Sequence, residues 1–440
     1  MKARATVPVV APIQKATKAR YLILFLVCMM TGINYMGRTN LAVAAPYIQQ
    51  ELGLSPAMMG IVFSSFAWTY TVMQIPSGWI LDRFGSRTVY GATMFLWSSF
   101  IGLMGCAANF TTLIIYRLAL GLCGAPTFPA NGRIVTAWFP ARERGLAIGG
   151  YIGAQYIGLA FLTPLVTWII VTFGWPYVFF ITGFLGIGLS FIWYFIYRVP
   201  QHCHYINLLE LKHIEADGEH DELSQPDWKN IKQLLKHRQL WGMFIGGYAV
   251  SSISYFFITW FPSYLVNAKG LTLIGAGFYA SAPFLAAIIG VMTGGRWSDW
   301  MLYRGHSFGT ARKVPIITGL LLASSVAAAN YTNDLWMVTL IMSFAFFGQN
   351  MANTGGWALL SDLAPRELVG ITGGFYNFSS NMGGVIAPLV VGFIVDTTNS
   401  YQLALFFISA TALLGLFSYV FIVGKPYRIT TVNMQCNIEG

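Results

Sequence analysis

Two stretches of the chain run parallel without a gap: ARERGLAIGGYIGAQYIGLAFLTPLV (residues 141–166) and PRELVGITGGFYNFSSNMGGVIAPLV (residues 365–390). Arg142 matches Arg366, Glu143 matches Glu367, Gly149 matches Gly373 and Pro164 matches Pro388, each pair 224 residues apart. GWILDRFGSR (residues 78–87) has a looser echo in GGRWSDWMLYRG (residues 294–305). One coincidence of glycines could arise by chance. Two signals with a common long period indicate an internal duplication.

The surroundings say what is duplicated. The 440 residues are 56% hydrophobic and only 10% charged, with a mean hydropathy of +0.60. Soluble domains carry about a quarter charged residues, so this chain needs lipid as part of its solvent. A membrane-crossing helix takes about 20 mostly apolar residues. Runs of that kind fall at 21–44, 57–80, 88–108, 111–132, 145–172, 176–197, 239–265, 272–295, 313–332, 335–360, 367–395 and 401–424. The duplicated stretches are spans 5 and 11, six spans apart. The expected organisation is a tail over 1–20, a six-helix bundle over 21–197, a polar linker over 198–238, a second six-helix bundle over 239–424 and a tail over 425–440. The fold class is an all-α integral membrane protein. Parallel six-helix repeats are one architecture of secondary transporters, with the solute site at mid-depth between them.

Basic residues orient the stack. Arg83, Arg87, Arg142, Arg144, Arg198, Lys212, Lys229, Arg304, Arg312, Lys313 and Arg366 fall in alternate loops, whereas the other loops hold Lys269 with Glu51, Asp334 and Asp396. Both termini and the linker are expected in the cytoplasm, with no cleaved secretory signal. The net charge of +10 is scattered singly, which argues against nucleic acid. The five cysteines show no metal-ligand spacing, and neither a metal nor a cofactor is expected. An enzyme is disfavoured, because no Ser/His/Asp arrangement, metal cluster or phosphate loop appears.

GWILDRFGSR resembles the loop signature of the major facilitator superfamily. YRLALGLCGAPTFPANGRIVTAWFPARERG (residues 116–145) resembles the anion:cation symporter family within it, and NYMGRTNLAVAAP (residues 34–46), TWFPSYL (residues 259–265) and NYTND (residues 330–334) are similar to its bacterial sugar-acid branch. The resemblance covers about residues 20–425. It implies a monomeric inner-membrane carrier of a sugar acid, a hexonate such as D-galactonate or a hexuronate or hexarate, with protons as co-substrate.

Charges inside a span are costly and mark function. Arg38 in span 1 and Arg117 near the start of span 4 are the two candidates, at depths of about 10–13 Å and about 6–10 Å from the outer surface at 1.5 Å per residue. A guanidinium fork pairs bidentately with a carboxylate, and the resemblance singles out Arg38. The alternative is an arginine that pins helices. Asn34, Tyr35, Tyr70, Gln155, Gln349, Asn350, Trp357, Asn377 and Asn381 are the candidate lining for a polyhydroxylated acid. Their alternative role is hydrogen bonding between helices. By resemblance, Asp82, Arg83, Arg87, Arg142 and Asp299 are expected to latch the inner gate.

The chain departs from the branch at two positions. Family members carry proton-accepting carboxylates just before the span 1 arginine and before the Ala-Pro of span 4. Here those positions are Gly37 and Gly124, and no Asp or Glu falls mid-span. Proton symport needs a group that titrates in the cycle, so exchange or uncoupled transport stands beside symport. A multidrug exporter of the same fold is disfavoured by the missing intramembrane acids.

Overall fold

The computed structural model describes residues 17–215, 233–365 and 368–429. Arg366 and Glu367 of the repeat, and residues 216–232 of the polar linker, lie outside them. Among the described residues, ten helices are long and apolar enough to cross a membrane. Two further spans come from one continuous run, Pro56–Met104, which is broken at Gly85 with φ 74°. Phe66 and Trp97 in its two arms stack at 5.7 Å between ring centroids. In a straight helix, residues that far apart in sequence would be separated by about 46 Å. The chain therefore folds back at Gly85, where only glycine adopts such a φ without strain. Twelve spans result.

Span 1 is Ala19–Leu52, span 5 Ala141–Phe173 and span 6 Trp175–Ile196. Spans 2 and 3 are the arms before and after Gly85. Span 4 is Phe110–Gly124 continued by Thr127–Trp138, with the break at Ala125-Pro126. Proline cannot donate to the preceding turn. A short helix, Leu208–Glu215, lies in the linker. The second bundle comprises span 7 (Arg238–Thr259, then Phe261–Asn267), span 8 (Leu273–Tyr303), span 9 (Phe308–Tyr331), span 10 (Leu335–Leu363), span 11 (Val369–Thr398) and span 12 (Gln402–Ile422). The repeat recurs in backbone detail. Gly53 and Gly270, 217 residues apart, both turn the chain with positive φ, 62° and 67°, before spans 2 and 8.

Span 1 is longer than its apolar run. The helix continues past the apolar run through Gln49, Gln50 and Glu51 to a left-handed cap at Gly53. Arg38 therefore sits near the middle of a 34-residue helix, about 21 Å from its far end.

The two bundles meet at the end away from the linker. A Cβ on Gly60 (span 2) would stand 2.7 Å from the Pro388 carbonyl oxygen, one on Gly392 (span 11) 2.8 Å from that of Pro56, and one on Gly277 (span 8) 2.3 Å from Thr167 Oγ1 (span 5). Ser64 donates to the Val385 carbonyl at 2.7 Å, and Phe63 packs edge-on against Trp260. The linker end is different. Gly145, Gly149 and Gly153 of span 5 and Gly370 and Gly374 of span 11 face open space. Every ion pair among the described residues lies toward this end, and none joins the bundles. The molecule is closed at its far end and parted at its linker end.

Candidate functional site

Where the seam ends at mid-depth, the interior carries positive charge. Arg38 is 8% exposed and Arg117 3%. The only buried carboxylate among the described residues is Glu210 of the linker helix, and it accepts hydrogen bonds from the Ala19 and Arg20 amides.

Aromatic rings surround Arg38. Its Cζ lies 4.6 Å from the centre of the Tyr35 ring, 4.8 Å from Phe66, 5.1 Å from Tyr70 and 5.9 Å from Trp97. Tyr35 precedes Arg38 by one turn, and Phe66 and Tyr70 stand one turn apart on span 2, which is how three helices build one box. Nε and Nη2 of Arg38 are buried without a hydrogen-bond partner. Cation–π contacts offset part of the cost of burying an ion, but ring faces leave the Nε and Nη2 donors without an acceptor. The site is electrostatically incomplete and suited to an anion.

Arg117 approaches the same Phe66 ring at 5.2 Å, but it is held differently. Its Nε donates to the Val62 carbonyl at 3.2 Å and its Nη2 to that of Phe63 at 3.0 Å. These bonds lock span 4 to span 2 and leave only Nη1 unpaired.

The amides divide in the same way. Asn377 donates to Gln74 Oε1 across the bundle seam at 3.3 Å, and Asn381 donates to the Asn377 carbonyl at 2.9 Å. Gln155 is buried, and Asn34 Oδ1 is buried without a donor. Gln349 instead ties spans 7 and 10, donating to the Val250 carbonyl and to Ser254 Oγ at 3.1 and 2.6 Å. Asn350 accepts from the Tyr156 hydroxyl of the first bundle and donates to the Phe346 carbonyl. Trp357 stacks edge-on against Tyr376 and is 40% exposed.

The expected gate residues sit at the linker end, inside their own bundles. Asp82 pairs with Arg133 of span 4 at 2.6 Å, and Asp299 with Arg312 at 3.3 Å. Arg83 lies against Trp79 and Phe84, Arg87 donates to the Tyr194 carbonyl, and Arg142 is exposed.

Phe66, Trp97, Tyr156 and Tyr255 escaped sequence reasoning. Tyr255 of span 7 packs its ring against Gly384 of span 11, where a Cβ would stand 2.3 Å from its Cζ. Trp97 fills the space beside both departures from the branch pattern. A Cβ on Gly124 would stand 2.6 Å from its Cζ3, and one on Gly37 3.2 Å from its Nε1 and 2.7 Å from Ile101 Cδ1.

The chain is 44% identical over 427 residues to a D-galactonate transporter of Escherichia coli O6:H1, covering 94% of this chain and 98% of that protein. It is 41% identical over 433 residues to a probable galactarate/D-glucarate transporter of Escherichia coli K12, covering 95% and 96%. Among solved structures it resembles a bacterial homologue of the human lysosomal transporter Spinster in an inward-facing, occupied conformation. That match has a TM-score of 0.74 and 18% identity, and covers 95% of this chain and all of that one. The Major Facilitator Superfamily profile matches residues 27–310 and 305–433. This protein is therefore a membrane transporter of the major facilitator superfamily, not an enzyme.

Proposed function

We propose that the chain carries a sugar acid, a hexonate such as D-galactonate or a related hexuronate or hexarate, across the bacterial inner membrane by alternating access. The observation that carries this reading is the Arg38 guanidinium, which is buried, ringed by aromatic faces and left with two unpaired N–H groups. A solute carboxylate completes it through a charge-assisted, bidentate pair. Tyr35, Tyr70, Gln74, Gln155, Asn377 and Asn381 supply donors and acceptors for hydroxyls, since each buried polar group of a polyol needs a partner. The names of the similar relatives support the same solute class.

With the basic loops on the cytoplasmic side, both termini are cytoplasmic and the parted linker end is the inward-open state. In the opposite state the linker end closes. Asp82, Arg83, Arg87, Arg142 and Asp299 are then positioned to contact the other bundle, and the open flanks of Gly149 and Gly374 receive it.

Proton-coupled uptake is what the resemblance implies. A second reading, anion exchange or uncoupled transport, is favoured by a specific observation. Among the described residues no carboxylate is buried within the spans, and glycine occupies both 37 and 124. An empty, positively charged site resists reorientation, so each half-cycle would carry an anion.

Uptake of labelled D-galactonate and galactarate into proteoliposomes tests both readings. Accumulation driven by an imposed inward proton gradient establishes symport. Stimulation only by preloaded unlabelled acid establishes exchange. Uptake of neither acid in any arm contradicts D-galactonate and galactarate as solutes, and absence of uptake across a panel extended to hexuronates contradicts the sugar-acid assignment.

A further inference from the structure

Span 3 had no candidate residue, yet its Trp97 lies against spans 1, 2 and 4 around Arg38. The side chain is 1% exposed, meets Phe66 edge-on at 5.7 Å and lies 5.9 Å from the Arg38 Cζ. A Cβ on Gly124 would stand 2.6 Å from Cζ3 and 2.9 Å from Cε3 of the indole. On Gly37 it would be squeezed between the indole Nε1 at 3.2 Å and Ile101 Cδ1 at 2.7 Å. Carbon atoms pack at about 3.5–4.0 Å. Position 124 cannot carry a side chain while the indole stays where it is, and position 37 can carry one only if Ile101 swings aside and the indole gives by a few tenths of an ångström. The indole N–H is buried without an acceptor, beside the glycine that precedes Arg38.

We propose that Trp97 is a positioning residue of the anion site. It braces the aromatic box around Arg38, occupies the space in which a side chain of span 4 would stand at position 124, and with Ile101 crowds position 37 of span 1. The wall beside Arg38 thereby carries no carboxylate, and the charge of Arg38 is met by the solute. This rests on the reading that Arg38 receives the solute carboxylate.

Reciprocal substitution in the full-length protein tests it, with thermal melting of purified protein and D-galactonate uptake as readouts. Gly124→Ala is expected to lower the melting temperature by several degrees and uptake by about tenfold, in the range overpacking imposes. Trp97→Leu is expected to raise KM about tenfold with little change in maximal rate. The double variant should recover the melting temperature lost in Gly124→Ala while keeping the raised KM. Wild-type behaviour of Gly124→Ala overturns the proposal. So does a double variant no more stable than Gly124→Ala, or an unchanged KM in Trp97→Leu. If Gly124→Ala yields no folded protein, recovery of folded double variant supports the proposal, and failure with Trp97→Leu alone folded overturns it. A third variant, Trp97→Leu with Gly124→Glu, puts a carboxylate into the vacated space. An inward proton gradient should stimulate its uptake at least about threefold more than that of wild type, because a buried carboxylate beside a cation can bind and release a proton in the cycle. An equal response overturns the claim that the indole keeps this wall free of a carboxylate. If wild type takes up no sugar acid, the solute assignment fails, while rescue of melting still decides whether the indole and a side chain at 124 exclude each other.

Discussion

Arg38 and Arg117 share the ring of Phe66, at 4.8 and 5.2 Å, and differ in their hydrogen-bond partners. Arg117 spends two nitrogens on carbonyls of span 2. Arg38 has rings on several sides and no acceptor for Nε or Nη2. A buried cation with fixed partners fastens two helices. A buried cation with aromatic walls and unpaired donors is the kind of site that an anionic ligand would complete. Burial alone does not separate the two, because both are under a tenth exposed; the partners do.

The largest expected effect falls on the fastening arginine. Arg117→Gln removes two charge-assisted hydrogen bonds and should cost about 3 kcal/mol of stability, read as a lower melting temperature, with transport falling only in step with folded protein. A raised KM at unchanged stability would break the comparison. Next is Arg38→Lys, which keeps the charge but loses the planar fork. Uptake at low solute should fall about thirtyfold, roughly 2 kcal/mol, mostly through KM and without a change in melting.

The same contrast between committed and open surface holds for the two ends of the molecule. Gly60→Ala pushes a methyl against the Pro388 carbonyl and should destabilise the far-end-closed state by about 1–2 kcal/mol. A cysteine pair across the linker end would then crosslink more readily than in the parent, as the population shifts toward the state in which that end is closed. Gly149→Ala meets open space here, so equal crosslinking gains in both variants would break the contrast. The smallest expected effect is that of Asn377→Leu, which loses its bond to Gln74. About 1 kcal/mol should appear as a several-fold rise in KM for a polyhydroxylated acid, and less for a carboxylic acid without hydroxyls.

Much of this was legible in the sequence, for identifiable reasons. Long apolar runs and a constant offset between repeats report the spans and the duplication, because lipid demands continuous apolar helix and a repeated bundle keeps its spacing. Arg38 was legible because a charge among apolar residues is rare. Its central place along the helix was not, because span 1 continues as helix beyond its apolar stretch and only the left-handed turn at Gly53 ends it. The fate of Arg117 depends on carbonyls of Val62 and Phe63, groups every residue carries and no pattern distinguishes. Asp82 takes its partner Arg133 from another span rather than from its neighbours Arg83 and Arg87, since a loop's charges pair with whatever helix end packs beside them. Trp97 reads as one more apolar residue in FLWSSF (residues 95–100). Its role emerges only when spans 1 and 4 are seen to present glycines to it.

The most direct test is D-galactonate binding to purified wild type and Arg38→Gln, measured as the shift in melting temperature with added acid. Removing an unpaired buried charge should leave the ligand-free melting temperature unchanged or raised. The account predicts a concentration-dependent upward shift for wild type and none for Arg38→Gln. An equal shift in both would show that the acid is held elsewhere and would contradict the assignment of Arg38 as its anchor.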